Sequence, residues 1–518
     1  MRTWGAQGKL WSMSAVLGWI LGLWLAAAGT AAPPQVTYKG PTGRVTGPVT
    51  LMADAKANVG RIVAVTFFLD GRPLGSDTTK PYSLGLNPAL VRPSRHRVRV
   101  VAVDNFGRRV STRPVTVTTA AYRGSILRAS PTERLDQALQ ALRRGDVMVR
   151  LAPGRYRLDG VRLGSGARLV GSGARTVISA SNSQYWALLV AKGQHIRIAN
   201  LALDGGGPGA GGGNAIAVFD GSRDVRMQRL RVSRVRKYGV NVWGKHSSVS
   251  VQDSQFDGGG TADAALFSLG SDDSSDTSVI RTRIRGFRDF GILLGQKAFG
   301  RPAAALHGLA LDNDISDIRD PARDACTYKP STPRCGTNEG GIWSGGVSAA
   351  IIGNKIRRAR WDGIETVGSS TRTTIVHNDV RGTRTGIYIE HSTNDSLISK
   401  NLLADVDTGI NVEWRYGGVG SKSNSYSFNR IVGTRKAGVF IGVGSDDNRI
   451  VGNTFLDGLR PAIVLQGSSE NTVRGNRGCG TDGDLVQEVS AKRDDGSVAK
   501  PRGNRMVANR NASACRRR

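Results

Sequence analysis

The chain has 518 residues, of which 39% are hydrophobic, 6% aromatic and 68 glycine. That composition is apolar enough for a packed core and rich enough in turn formers for an all-β protein, which excludes a disordered chain. Lys and Arg number 72 against 41 Asp and Glu, a formal charge of +31, which fits either a polyanionic partner or a lineage that uses arginine freely.

Residues 1–32 read as an export signal. Arg2 and Lys9 give a positive start, an apolar run from Met13 to Ala28 follows, and small residues precede Pro33 and Pro34. A membrane anchor is the alternative, although the run is short for a bilayer. No later stretch is apolar enough to span a membrane, so an extracellular or cell-surface location is expected.

Residues 33–119 form a separate unit of short strand-like runs, "PVTLMADA", "VAVTFFLDGRPLG", "HRVRVVAVDNFGR" and "PVTVTT". Asp70–Gly71 sits between two of them as a hairpin turn. Strands at this spacing suggest a β-sandwich. The run "VTFFLDGRPLG…HRVRVVAVDNFGR" resembles bacterial immunoglobulin-like domains. That resemblance implies a spacer or adhesive stalk, and no residue here suggests chemistry.

Residues 120–130 are a linker. Ser130, Pro131 and Glu133 then form a capping box ahead of Leu135, Ala138, Leu139 and Leu142. The expected helix begins at this box and runs to Arg144, covering the open end of whatever follows. Next comes "GDVMVRLAPGRYRLDGVRLGSGARLVGSG", Gly145 to Gly173. It resembles the first coil of secreted pectin-lyase-like right-handed parallel β-helix proteins, and the resemblance covers 131–477. Further coils are marked by "NAIAVFD", "YGVNVWG", "AALFSLG", "FGILLGQ" and "GGIWSGG".

From Trp361 to Asn476 one unit repeats five times. Its strands are "GIETV", "GIYIE", "GINVE", "GVFIG" and "AIVLQ". One asparagine per unit recurs at Asn378, Asn401, Asn429, Asn453 and Asn476, at steps of 23, 28, 24 and 23 residues, with Asn354 upstream. A fixed period of this size means a solenoid. Period-two alternation with β-branched residues makes it a β-solenoid. Stacked coils bring equivalent asparagines about 4.8 Å apart, within reach of an amide ladder. Asparagine also tolerates the left-handed backbone of a tight turn. The fold class is therefore all-β: a right-handed parallel β-helix after a small immunoglobulin-like sandwich, with 478–518 as a C-terminal cap.

The superfamily resemblance implies an elongated groove lined by the first strand of each coil. Alternation then puts two outward positions per coil on it: Asn241 and Trp243, Leu293 and Gly295, Trp343 and Gly345, Glu365 and Val367, Tyr388 and Glu390, Asn411 and Glu413, Phe440 and Gly442. Carboxylates gather in the middle coils. Trp343, Trp361, Tyr388, Asn411, Trp414 and Tyr416 are the candidate substrate contacts, because aromatic faces are platforms for sugars. Glu390 and Glu413 share an offset in successive coils, about 4.8 Å apart by strand spacing. Such a pair can bind Ca²⁺, serve a retaining glycosidase, or be two solvated glutamates bridged to arginine. Glu365 lies roughly 8 Å from Glu390, a separation used by inverting glycosidases.

For a lyase, Arg384 and Arg415 are candidate clamps for an acidic sugar, Arg360 precedes another strand, and His391 is a candidate acid or base. The polygalacturonase and mannuronan-epimerase signatures are missing, and "RDPAR" at Arg319 only loosely matches a pectate-lyase motif. No subfamily's catalytic residues carry over.

Cys326, Cys335, Cys479 and Cys515 are expected to pair in an exported chain, with proximity favouring Cys326–Cys335 and Cys479–Cys515. Three function classes follow. The leading one is an exported, monomeric enzyme, lyase or hydrolase, acting on an acidic polysaccharide through Glu365, Glu390 and Glu413. The second is a non-catalytic glycan-binding or adhesion protein. Nucleic-acid binding is set aside for want of any motif.

Overall fold

Period-two alternation becomes strand along almost the whole chain. The computed structural model describes residues 32–120, 126–182, 184–207, 213–296, 307–319, 340–413, 420–458, 461–479, 484–493 and 496–512. The chain divides into two units, one up to residue 122 and one from 123 onward. The expected export segment lies almost wholly outside the described residues. Among those, no helix is long and apolar enough to cross a membrane.

The first unit is a sandwich. One sheet holds Gln35–Tyr38, Val49–Lys56 and Tyr82–Leu86; the other holds Gly43–Val45, Val115–Thr119, Arg95–Asp104, Ile62–Leu69 and Arg72–Asp77. Leu51 from one and Phe67, Val100 and Val117 from the other are fully buried in a shared core. Asp70 and Gly71 both have positive φ, 51° and 78°, as a two-residue hairpin turn of the favoured hand requires. The Asp70 carboxylate also accepts the Arg97 N–H at 2.8 Å.

The helix is shorter than expected. It spans Leu135–Arg144. Arg134 has a left-handed φ of 54°, which breaks helical continuity between the Ser130 box and Leu135. Ser130 Oγ instead accepts the Glu133 N–H at 3.0 Å and closes a turn ahead of the helix. Ala138 and Leu142 are buried against the first strands of the solenoid.

The second unit is a parallel β-helix of about 12 turns whose strands form one continuous 38-stranded sheet. Each coil contributes a strand to each of three stacks. Asp362–Val367, Thr374–Val376 and Asp379–Arg381 pair in parallel with Thr385–Ile389, Leu397–Ser399 and Leu402–Ala404 of the following coil. Inside the first stack, Ile342, Ile364, Ile387, Ile410, Val439 and Ile463 stand on successive rungs, all fully buried. Coils open with glycine at Gly291, Gly341, Gly363, Gly386, Gly409 and Gly438, where the next coil lies close: a Cβ on Gly386 would sit 2.6 Å from the Gly409 carbonyl oxygen; alanine stands at the same place in Ala265 and Ala462.

The asparagine ladder is present and longer than the sequence repeat, running through Asn313, Asn354, Asn378, Asn401, Asn429, Asn453, Asn476 and Asn509. Asn401 Oδ1 accepts both the backbone N–H and the side-chain amide of Asn378, at 2.9 and 3.0 Å. Its own amide donates to Ile375 O and to Asn429 Oδ1, at 2.9 and 3.0 Å. The left-handed residue is not the asparagine itself but the one before it, as at His377, Lys400 and Phe428.

A second ladder, Asn424, Asn448, Asn471 and Asn504, runs five residues upstream of the first. Sequence reading missed it, although the step 424/429, 448/453, 471/476, 504/509 is constant.

Some of the arginines pair with aspartates of neighbouring coils. Arg234 pairs with Asp204, Arg281 with Asp253, Arg285 with Asp257, Arg358 with Asp317 and Arg435 with Asp407, each between coils. The exposed ones, Arg285–Asp257 and Arg358–Asp317, contribute roughly 0–1 kcal/mol apiece. Cys479 is buried; Cys326, Cys335 and Cys515, and with them both expected pairings, lie outside the described residues.

Asn401→Ala would strip the Asn378 backbone and side-chain amides and the Ile375 carbonyl of their shared partner. Each buried polar group left unsatisfied costs about 1–3 kcal/mol. Denaturant unfolding is expected to show a loss of roughly 3 kcal/mol or more, against a small effect for Ala at exposed Lys400.

Candidate functional site

The register read from the sequence is the register observed. On the outward face of the first stack, Asn241, Phe267, Leu293, Trp343, Glu365, Tyr388, Asn411 and Phe440 stand on consecutive rungs. Two residues further along each strand come Trp243, Leu269, Gly295, Gly345 and Val367. Glu390 and Glu413 continue that row, each just past the end of its strand.

The exposure of this face differs from the open groove expected. Trp343, Glu365 and Tyr388 are 7, 5 and 1% exposed. They point away from the core yet are covered. Leu293, Trp343 and Val367 form an apolar cluster of their own with Phe267 and Phe290, separate from the solenoid interior. Phe290 and Trp343 rings meet at 6.3 Å and 55°. The sequence did not single out Asp362, which is buried on the rung that joins Gly340 to Thr385. Asp362 and Glu365 thus place two buried acids on one strand, beside an apolar wall.

Glu390 and Glu413 remain partly accessible. The Asn411 amide donates to Glu413 Oε2 at 3.2 Å, and the Tyr388 hydroxyl donates to the Glu413 carbonyl at 3.4 Å. Glu390 is fixed through its backbone: its N–H donates to Thr366 O at 2.8 Å, and its carbonyl accepts the Ser421 hydroxyl at 3.0 Å. His391 Nδ1 lies 3.9 Å from Glu390 Oε2, and burial holds the His391 ring below its ordinary pKa. At the rim, the exposed Arg384 guanidinium lies 4.1 Å over the Trp361 ring, a cation–π contact that ties two candidate residues from adjacent coils together.

The structure therefore gathers Trp343, Glu365, Tyr388, Asn411, Glu390 and Glu413 on one face, with Trp361 and Arg384 at its edge. Trp414, Arg415 and Tyr416 lie outside the described residues.

Residues 34–100 match the family described as bacterial Ig domain, and residues 323–492 the family described as periplasmic copper-binding protein (NosD). No curated protein matches the chain. Among solved structures, the fibronectin(III)-like modules of Clostridium thermocellum CbhA are 26% identical. They cover 17% of this chain and 47% of their own, with a TM-score of 0.15. A PL6 alginate lyase bound to a trisaccharide is 13% identical over 76% of this chain and 86% of its own, TM-score 0.47. The A-module of the Azotobacter vinelandii mannuronan C-5 epimerase AlgE6 is 13% identical over 71% and 91%, TM-score 0.41.

Copper favours clustered imidazole and sulfur donors. Among the described residues no group of three or more His, Cys, Asp or Glu could hold a metal ion. His377, His391 and Cys479 of the matched segment fall in three different strands or turns of the coil. The described residues do not fit a copper centre, and they place no third acidic ligand with Glu390 and Glu413 for Ca²⁺. The second unit is a right-handed parallel β-helix, and residues 34–100 of the first match the bacterial Ig domain family.

Proposed function

We propose that the protein is exported and acts on a polysaccharide, probed first with uronate polymers, at the outward face of its first strand stack. The observation that carries this reading is the placement of Glu390 and Glu413 on consecutive rungs, at the strand ends beside Tyr388 and Asn411, with a stacked Trp361–Arg384 pair where the strands begin. Rungs lie about 4.8 Å apart, close to the roughly 5–5.5 Å between the carboxyl groups of retaining glycosidases.

Glu413, oriented by the Asn411 amide, suits the nucleophile or base. Glu390 suits the acid, with His391 beside it able to take or return a proton. Arg384 presents a forked cation for a sugar carboxylate. Glu365, buried behind them, positions the wall rather than meeting substrate. Stacking on the aromatic rings would orient the chain.

A binding-only protein is the second reading. The covered state of Glu365 and Trp343 and the match to a binding-protein family favour it.

Purified protein incubated with alginate, polygalacturonate and neutral glycans separates these. New ultraviolet absorbance from unsaturated ends marks a lyase, and reducing ends alone mark a hydrolase. Glu390→Gln and Glu413→Gln should each lower the rate by about 10²–10⁴-fold, the usual contribution of a positioned acid or base. Full activity in both removes the pair from the chemistry. Retention of glycan without cleavage leaves the binding reading.

His391 adds a pH test. Its ring is held below the ordinary 6.5 by burial, so the unfolded chain binds the proton more readily. Stability is then unaffected above pH 6.5 and lost as pH falls below it. Thermal midpoints measured between pH 8 and 5 should fall less steeply in His391→Gln than in the parent chain.

A further inference from the structure

Upstream of the carboxylates, the same outward face carries a row of rings that the proposed chemistry does not use. Trp186, Phe219 and Trp243 are 49, 38 and 46% exposed. Val218 pairs with Val242, so the next residues, Phe219 and Trp243, stand on adjacent rungs. Ring contacts tie them in two groups on neighbouring coils: Trp186 to Phe219 at 5.4 Å, and Trp243 to Phe267 at 6.2 Å with Phe267 stacked on Tyr238 at 4.3 Å.

Asn241 lies among these rings. It alternates with the core residues Val240 and Val242, stands on the rung between Ala217 and Phe267, and is 4% exposed. Its Oδ1 has no hydrogen-bond partner among the described residues. A buried amide oxygen without a donor is unfavourable, and a contiguous row of exposed rings marks a binding surface.

Charge distinguishes the two edges. Along the edge where these strands end, exposed Lys192 shares the rung of Phe219, and exposed Lys245 follows Trp243. The Asp220 carboxylate there is already turned to the Lys245 backbone N–H, at 2.5 Å. At the opposite edge the Lys237 ammonium lies 5.3 Å over the Tyr238 ring, with Asp263 and Asp289 on the succeeding rungs.

We infer that Trp186, Phe219, Trp243 and Asn241 form a docking platform for a linear acidic polysaccharide. Pyranose faces stack on the rings, a sugar hydroxyl donates to Asn241 Oδ1, and sugar carboxylates pair with Lys192 and Lys245. Four rungs separate Asn241 from Glu365, by way of Phe267, Leu293 and Trp343, about 19 Å at strand spacing. The platform would hold a chain some way from the carboxylates. The inference rests on the reading that this face handles polysaccharide.

Native affinity electrophoresis of the full chain through gels containing alginate, polygalacturonate, neutral dextran or dextran sulfate tests it. Alginate or polygalacturonate should retard the parent chain. The Trp186→Ala/Trp243→Ala pair should weaken that at least tenfold and leave retention by dextran sulfate, which reports net charge, unchanged. Both rings are at the surface, so the pair is expected to fold, checked by circular dichroism; Asn241→Leu is a secondary variant.

Equal retardation of parent and Trp pair means charge alone binds and overturns the platform, as does retention by neutral dextran equal to that by the acidic polymers. Self-association lost in the Trp pair, without glycan retention, also overturns it. Cleavage without platform binding removes this inference and leaves the proposed function standing; absence of both removes both.

Discussion

The solenoid depends on the amide ladder at its turns. A coil of this size has corners where the chain must reverse, and buried backbone groups at a corner have no strand partner. Each asparagine solves this for its neighbour: its oxygen accepts two donors from the coil before, and its amide reaches back to a carbonyl of the strand that leads into that corner. The residue ahead of it takes the strained left-handed conformation. Because the ladder fixes where each corner falls, the next strand starts in register. The isoleucine rungs then stack, and the outward residues stack with them.

That chain of consequence explains what could be read from the residues alone. Rung identity is a matter of counting: Trp343, Glu365, Tyr388 and Asn411 follow each other because the period and the alternation leave no other register. Exposure is not a matter of counting. Glu365 faces outward by register and is nevertheless buried, since alternation encodes which way a side chain points and not what lies over it. The helix start was misplaced for a local reason. Ser130 and Glu133 satisfy the capping pattern, but one left-handed residue, Arg134, separates that turn from the helix. The second asparagine ladder was legible and overlooked, because its members sit in polar turns where asparagine is ordinary.

The outward face changes character along the axis. Early coils offer exposed rings flanked by lysines; middle coils offer a covered apolar wall beside buried acids; later coils offer the glutamate pair, with Glu413 held by Asn411. The interior shows no matching gradient, being aliphatic on rung after rung. Stability and surface chemistry are thus assigned to alternate residues of the same strands. The inter-coil Asp–Arg pairs show that a large net charge can coexist with extensive local neutralisation. Net charge alone is therefore a weak guide to what this protein binds.

The unequal spacing of the asparagines has a further consequence. Asn401 and Asn429 are 28 residues apart where their neighbours are 23 or 24 apart, yet the bond between them has the same 3.0 Å length as the next link, Asn429 to Asn453. Ser425–Ser427 still pairs with Leu397–Ser399, so the additional residues fall in the interval between Val412 and Ser425. A ladder that measures only the last few residues before each corner is blind to how long the preceding loop is. Such a scaffold lets insertions reshape the surface beside the glutamates while the frame beneath stays constant, so diversity of binding can accumulate without any renegotiation of the fold.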